Sequence, residues 1–494
     1  MSRTTRPGRP PRVLALADDL SGAAETAAAL GLRGRIVLGP TTAPPRDGES
    51  VVLDLDTRQQ APEDAANVVR AALAYADGGV VLKKIDSLLR GNLAAEAAAY
   101  ATGATGVVIA PALPVAGRTV REGVVNLHGT ALHTTDAWRA EPGAAPVSVG
   151  AALGGVPTRV VPLATVRAPE PALYDRLRAL VAEGHHPVCD AETDADLDAI
   201  AEAALQLGPG MRLMGTGGLA AALGRRLAAA ATTAAETVAE EAAHGAGLLP
   251  GTLGDRPTEA ERSHRTETTE RGRRTVVARV RPADPDQDRP ADGDQHRLAD
   301  ADQDRSPARP LLVVVGTAEP TAVAQIAQLV AVGARHIPLP AHTLTDHSTR
   351  STLNIRTEDG RTPDGITVVS IDGTHAVDPG AARNLVVGLV LAVTEAAHDS
   401  DLVLTGGETA RRVLDALGIR ELLPLDQIHH GAVRSRTADG RHVVTRPGSY
   451  GDTDSLLRIA RALRPGLTPH PGHTPHSDQP VAPPLSPAPL GEPT

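Results

Sequence analysis

Phenylalanine is absent from the 494 residues, tryptophan occurs once, at Trp138, and tyrosine stands only at Tyr75, Tyr100, Tyr174 and Tyr450. Sequence-tolerant binding of single strands uses aromatic faces for stacking, so a chain this poor in them is not built for it. The net charge of −10 argues against a generic nucleic-acid binder as well. An adenine ring, if one is bound, must lie between aliphatic side chains. The lone Cys189 excludes a disulfide framework, and no Cys/His spacing resembles a zinc site. Lying in an apolar run, it reads as buried and inert. No stretch reaches the ~18 uninterrupted apolar residues of a membrane span. The basic start carries one short apolar run, Val13 to Ala17, below the ~7 to 15 residues of a signal-peptide core, so the cytoplasm is the expected compartment. Lysine is nearly missing too: Lys83 and Lys84 stand against 47 arginines. Drift away from AT-rich codons accounts for the loss of both Lys and Phe, and a lysine that survives it is a functional hint.

What is present is 41% hydrophobic residues, enough for sizeable cores, in a length that suggests two or three domains. From Arg12 onward, short apolar runs alternate with alanine-rich segments of helical period, which predicts α/β structure with a largely parallel sheet. Predicted strands are 13–17, 36–38, 51–55, 80–82, 107–109, 187–189 and 211–214, and predicted helices 23–30, 62–75, 171–182, 194–205 and 219–231, each strand feeding a helix. In residues 251–310, 25 of 60 residues are charged and the text is repetitive, which predicts a disordered linker. A second α/β pattern follows, with strands at 311–315, 366–371 and 402–404 and helices at 321–332, 381–397, 408–417 and 454–463. From Pro465, 10 of 30 residues are proline, as in a solvated tail. The expected organisation is a disordered 1–11, an α/β domain 12–235, a charged low-complexity linker 236–310, an α/β domain 311–464 and a Pro-rich tail 465–494. Each domain carries a largely parallel sheet flanked by helices, with the active site in the cleft between them.

The first strand runs into Asp18, Asp19, Ser21 and Gly22. Ligands of parallel sheets bind outside the carboxyl ends of strands, so these carboxylates are placed to hold substrate hydroxyls or a metal; alternatively Asp19 or Ser21 caps the following helix. The stretch LKKIDSLLRGN (82–92) gathers the polar types that recognise a small anionic sugar: Asp86 as a hydroxyl acceptor, Ser87 and Asn92 as donors or acceptors, and Arg90 as a bidentate carboxylate grip. It also holds both lysines, whose compact charge the planar Arg fork does not reproduce. Gly117, Arg118 and Thr119 form a polar turn that could aim another guanidinium into the same crevice. In the second half, VVVGTAEP (313–320), LVLTGGETA (402–410) and TRPGSYGD (445–452) each place glycine before a helix, where freed N–H groups and the helix dipole favour phosphate. Thr317 and Thr409 add hydroxyls. None is a Walker A loop or GxGxxG. The similar LMGTGGLAAAL (213–223) binds a phosphate or is a packing turn. The histidines at 470, 473 and 476 lack a scaffold for a metal.

Together these segments resemble the four-carbon acid sugar kinase family. ADDLSGAAET is similar to its DDLTGA start, KKIDSLLRGN to its KKIDSTLRGN, and PALPVAGRT to its AGRT segment. DAETDADLDAI with GTGGLAAAL, then VVVGTAEPTAVAQI, TGGETARRVLDALG and RPGSYGDTDSLLRIA, continue the resemblance over about 12–231 and 311–463. It implies a sugar-acid-binding first domain, using Asp18, Asp19, Lys84, Asp86, Arg90 and Arg118. It also implies a nucleotide-binding second domain, using Thr317, Gly406, Gly407, Glu408, Thr409, Gly448 and Gly451. The departures are Ser21 and Leu88 for Thr, Thr317 for Ser, Glu408 for Asp, Arg446 for Lys and Tyr450 for Phe.

The function so implied is transfer of the γ-phosphoryl group of ATP, with Mg²⁺, to a hydroxyl of threonate, erythronate or a 3-oxo-tetronate. Asp19, Asp86 and Lys84 are the expected catalytic groups, either aspartate being the base. Asp18, Asp19, Ser87, Arg90, Asn92 and Arg118 are expected on the substrate. The metal ligands stay unassigned. The expected partners are the sugar acid and ATP, with no nucleic acid and no membrane, and a homo-oligomer is open. The alternative is a sugar-acid and nucleotide-binding regulatory homologue impaired in catalysis.

Overall fold

The computed structural model describes residues 11–31, 33–139, 141, 143–245, 309–317, 319–345, 355, 365–372, 382–448 and 451–467. Tyr450, nearly all of the expected N-terminal segment, and most of the expected linker and tail lie outside them. Buried on both faces, parallel strands need near-continuous aliphatic runs, and the chain supplies them. The first half contributes β1 (Val13–Ala17), β2 (Arg33–Leu38), β3 (Glu49–Asp54), β4 (Val80–Lys84) and β5 (Gly106–Ala110). A small antiparallel sheet of β6 (Arg118–Arg121), β7 (Val124–Leu127) and β8 (Thr130–Ala131) follows. Then come β9 (Thr158–Val161), β10 (His186–Cys189) and β11 (Met211–Gly215). The second half adds β12 (Leu311–Val315), β13 (Arg335–Leu339), β14 (Ile366–Ile371), β15 (Asp401–Thr405), β16 (Glu421–His429), β17 (Ala432–Arg436) and β18 (His442–Arg446).

Helices flank the sheet, among them Leu20–Leu30, Leu93–Ala101, Gly217–Gly245, Gly407–Ala416 and Ser455–Leu463. Their ends follow local chemistry. Proline opens Pro62–Leu73 and Pro320–Ala331, where its missing N–H costs nothing. Thr193 and Asp196 form a reciprocal capping box on Asp194–Gln206.

Among the described residues the strands order as β13-β14-β12-β15-β18-β17-β16-β2-β3-β1-β4-β11-β5-β10-β9. Within this fifteen-stranded sheet the pairings inside each half are parallel apart from the antiparallel β16–β17 and β17–β18. The halves meet where β16 runs antiparallel to β2, Glu421 opposite Val37 and Leu422 opposite Ile36. Side chains brace this seam: Arg411 Nη1 stands 2.9 Å from Asp54 Oδ2, and Arg412 Nη1 3.0 Å from Asp56 Oδ2. No helix among the described residues is long and apolar enough to cross a membrane.

Three features differ from the sequence expectation. The strands β6–β9, β13 and β16–β18 and the helix Leu93–Ala101 were not foreseen, so not every strand feeds a helix. β16 (ELLPLDQIH) is mostly exposed or half-buried and interrupted by Pro and Asp, which blurs the period-2 signal. The helix Gly217–Gly245 runs past the expected linker start at 236, because the Ala/Glu-rich sequence there has high helix propensity.

Candidate functional site

The carboxyl ends of β1, β3 and β4 converge on a cluster of charges. Asp19 caps the helix Leu20–Leu30, its Oδ1 accepting from the Gly22 N–H at 2.8 Å, so the capping role occurs alongside its place in the cluster. Arg58, on the loop after β3, was missed in the sequence and is central. Its Nε donates to Asp18 Oδ2 at 2.8 Å and its Nη1 to Asp19 Oδ2 at 2.9 Å, while Nη2 stands 3.8 Å from Asp86 Oδ1. The signal that could have found it is its position outside a strand's carboxyl end.

These partners split the aspartates electrostatically. Burial pushes Asp86 up, but Arg90, Arg58 and Lys84 outweigh it and hold the carboxyl far below its usual range. Burial also raises Asp18, yet Arg58 and Lys83 bring it below the ordinary value. For Asp19, burial, with neighbouring Asp18 adding to it, overcomes Arg58 and Lys84, and its pKa is raised. Asp18 Oδ1 is buried with no hydrogen-bond partner.

The KKIDSLLRGN segment divides into distinct tasks. Lys83 turns into the core, its Nζ 2.7 Å from Glu96 Oε2 with both side chains buried. Lys84 turns to the site: its Nζ donates to the Ile85 carbonyl at 3.1 Å and lies 3.3 Å from Glu25 Oε2. Burial alone would lower it, but Glu25, Asp18, Asp19 and Asp86 raise it, so it stays an ammonium and acts as a charge. Arg90 directs Nε and Nη2 to Asp86, at 2.8 and 2.9 Å, while its Nη1 lies 4.0 Å from Glu141 Oε1. Asn92 donates both amide hydrogens, to Thr57 and Gln60 carbonyls at 2.8 Å each, pinning the Arg58 loop. Arg118 Nη1 donates to Ser87 Oγ, bringing those two expected residues together. Trp138 Nε1 donates to the Leu88 carbonyl at 2.8 Å.

In the second half, the ends of β12, β15 and β18 bring Thr317, Gly406 and Gly448 together. A methyl group at Gly448 would lie 3.7 Å from Thr317 Cγ2 and 3.8 Å from Gly406 Cα, so the three loops lie within van der Waals reach of one another. Gly406 has φ +88°, and its N–H donates to the Arg446 carbonyl at 2.9 Å. Glu408 and Thr409 occupy the first turn of the helix that follows. Arg446, fully buried, builds the third loop: it donates to Ser455 Oγ at 2.8 Å, Gln325 Oε1 at 2.7 Å and the Gly448 carbonyl at 2.8 Å. Gln325 in turn holds the Gly451 and Asp452 carbonyls. Burial lowers the Arg446 guanidinium to about 10.

The two clusters adjoin. A methyl group at Gly407 would lie 2.5 Å from Asp19 Oδ2 and 3.1 Å from Ser21 Oγ. The raised carboxyl of one half therefore abuts the N-terminus of a ten-residue helix of the other, where N–H groups are free for an anion. By contrast, Gly217 and Gly218 of the LMGTGG turn pack against Glu25 and the Ala112 carbonyl, the structural of the two expected readings. Cys189 is fully buried and its thiol pushed up by burial, as an inert core residue should be.

Residues 13–223 match the family described as a sugar-binding N-terminal domain, and 312–456 that of a nucleotide-binding C-terminal domain. A D-threonate kinase of Cupriavidus necator is 30% identical over 480 residues, covering 92% of this chain and 99% of the relative. A D-erythronate kinase of Heliobacterium modesticaldum is 34% identical, covering 39% of this chain and 48% of its own. Among solved structures, a Salmonella typhimurium protein superposes with a TM-score of 0.65 at 19% identity, covering 91% of this chain and 99% of that one. A Haemophilus influenzae protein does so at 0.58 and 17%, covering 91% and 100%. At these identities the two structures speak for the fold alone.

Proposed function

The chain belongs to the four-carbon acid sugar kinase family, and from that premise we propose that it moves the γ-phosphoryl group of ATP onto a hydroxyl of D-threonate or D-erythronate, in the cytoplasm. The observation that carries the reading is the contact of Asp19 with the helix N-terminus at Gly407. A hydroxyl held by Asp19 would meet a phosphate held by that helix, and phosphoryl transfer needs little beyond such positioning and charge neutralisation.

Asp19 is the base under this reading, because its raised pKa makes it the better proton acceptor of the two candidates. Asp86, held far below the usual range, organises its loop and the Arg58 and Arg90 guanidiniums. Lys84 and Arg118 supply the positive charge for the substrate carboxylate. Thr317, Gly406, Gly407, Glu408, Thr409, Gly448 and Gly451 line the expected nucleotide site, whose ring would pack on aliphatic side chains.

Magnesium bound with ATP supplies charge neutralisation on the phosphates, and it usually takes one or two carboxylates and keeps water and phosphate as its other ligands. Asp18, with its unpartnered buried Oδ1, fits that modest demand. Among the described residues no group of three or more His, Cys, Asp or Glu could hold an ion by itself, consistent with a metal that arrives on the nucleotide.

ADP release from MgATP with D-threonate, D- and L-erythronate and 3-oxo-tetronates tests the reading. Turnover of at least one is expected. Tight binding of an acid without turnover of any would replace it with a binding protein.

A further inference from the structure

The turn between β16 and β17 carries two histidines from the nucleotide half towards the sugar-acid half. His429 is locked. Its Nδ1 lies 3.0 Å from the His430 carbonyl, which can only accept, so Nδ1 bears the proton. Its Nε2 then accepts from the Ser455 hydroxyl at 2.9 Å, and Ser455 Oγ accepts from Arg446 Nη1 at 2.8 Å. The glycine loop that Arg446 builds is thereby tied to the placement of His430.

His430 reaches across the seam. Its Nε2 lies 3.9 Å from Glu25 Oε1, and Glu25 Oε2 is 3.3 Å from Lys84 Nζ. Arg118, Lys84 and His429 are the other charged or titratable groups that act on the imidazole, and its side chain keeps 29% of its exposure. An acceptor carboxylate and an imidazole side by side, next to two cations, form the pattern that holds neighbouring hydroxyls of an acid whose carboxylate the cations take. We infer that His430, with Glu25, binds the hydroxyl-bearing carbons of the sugar acid from across the seam and sets which diastereomer is accepted. Threonate and erythronate differ only in the relative configuration of two hydroxyls, so discrimination must come from groups that touch them. The inference rests on the proposed function.

The test compares His430→Ala and His430→Gln with the wild type on D-threonate and D-erythronate, with KM for both acid and ATP and a melting temperature for each protein. For His430→Ala we expect the acid KM to rise about 10- to 100-fold, the size of a lost hydroxyl hydrogen bond. The ratio of kcat/KM between the acids should shift about tenfold, the ATP KM should stay within about twofold, and His430→Gln should recover part of the loss. An unchanged acid KM and ratio would overturn the inference, as would an equal fall in kcat for both acids with a raised ATP KM. A wild type that turns over neither acid defeats the proposed function first and the inference with it, whereas an active wild type with an indifferent His430→Ala defeats the inference alone.

Discussion

Asp19 caps a helix and, under the proposed function, also stands at the reaction centre, two jobs that a sequence presents as rivals. Replacing it with Asn keeps an oxygen for the Gly22 N–H, so folding should survive while kcat falls about 10²- to 10⁴-fold, the worth of a general base. In the wild type, kcat/KM should climb with pH through an inflection above the ordinary carboxylate value of 3.8, because Asp19 is raised; a profile with no such limb would reassign the base. The two lysines separate in the same way. Lys84→Arg should cut turnover sharply with little change in stability. Lys83→Met strands Glu96 in the core and should cost roughly 3–5 kcal/mol in urea unfolding, with activity per folded molecule retained. Their survival in a lysine-poor chain was readable in the sequence; that Lys83 turns into the core and Lys84 the other way was not, because the predicted strand stopped at 82 while β4 runs on through both, where neighbours face opposite sides. Arg58 was legible only by its place after a strand's carboxyl end. Its meaning comes from three loops meeting, and the residue types of DTRQQ do not by themselves set it apart from 46 other arginines.

At the scale of elements, the glycine turns were legible because a positive φ such as that of Gly406 and Gly451 is one that other residues rarely adopt. Gly407→Ala tests the most telling of them: the added methyl must push the Asp19 carboxylate away, so kcat should fall by a factor of ten or more while the melting temperature moves little. Wild-type kinetics in that variant would show that Asp19 does not need its present distance from the helix. The buried parallel strands were legible too, since continuous aliphatic runs such as LLVVV have no other fate in a folded α/β protein. The β16–β17–β18 hairpins were not, for their mixed polar sequence is paid for by tertiary pairing, and with them went His430.

Among the described residues the two halves share a hydrophobic core across their seam, together with two backbone pairs and a few ion pairs, of which Asp54 with Arg411 is the most buried. Burial raises Asp54 to about 7 in spite of Arg411. A carboxyl raised on folding favours the folded state fully below its ordinary value near 3.8, and that contribution is lost as pH rises through about 7. Thermal melts between these limits should therefore show stability declining with pH by a component that is missing in Asp54→Asn; parallel curves for the two proteins would refute it. The scarcity of aromatic residues also has a use. Trp138 is the single indole of the chain, and its N–H is bonded to Leu88 in the loop that bears Asp86 and Arg90. Excited at the red edge, where the four tyrosines do not absorb, the chain has one emitter at the edge of the proposed sugar-acid site, and occupancy of that site can be followed optically without attaching a dye.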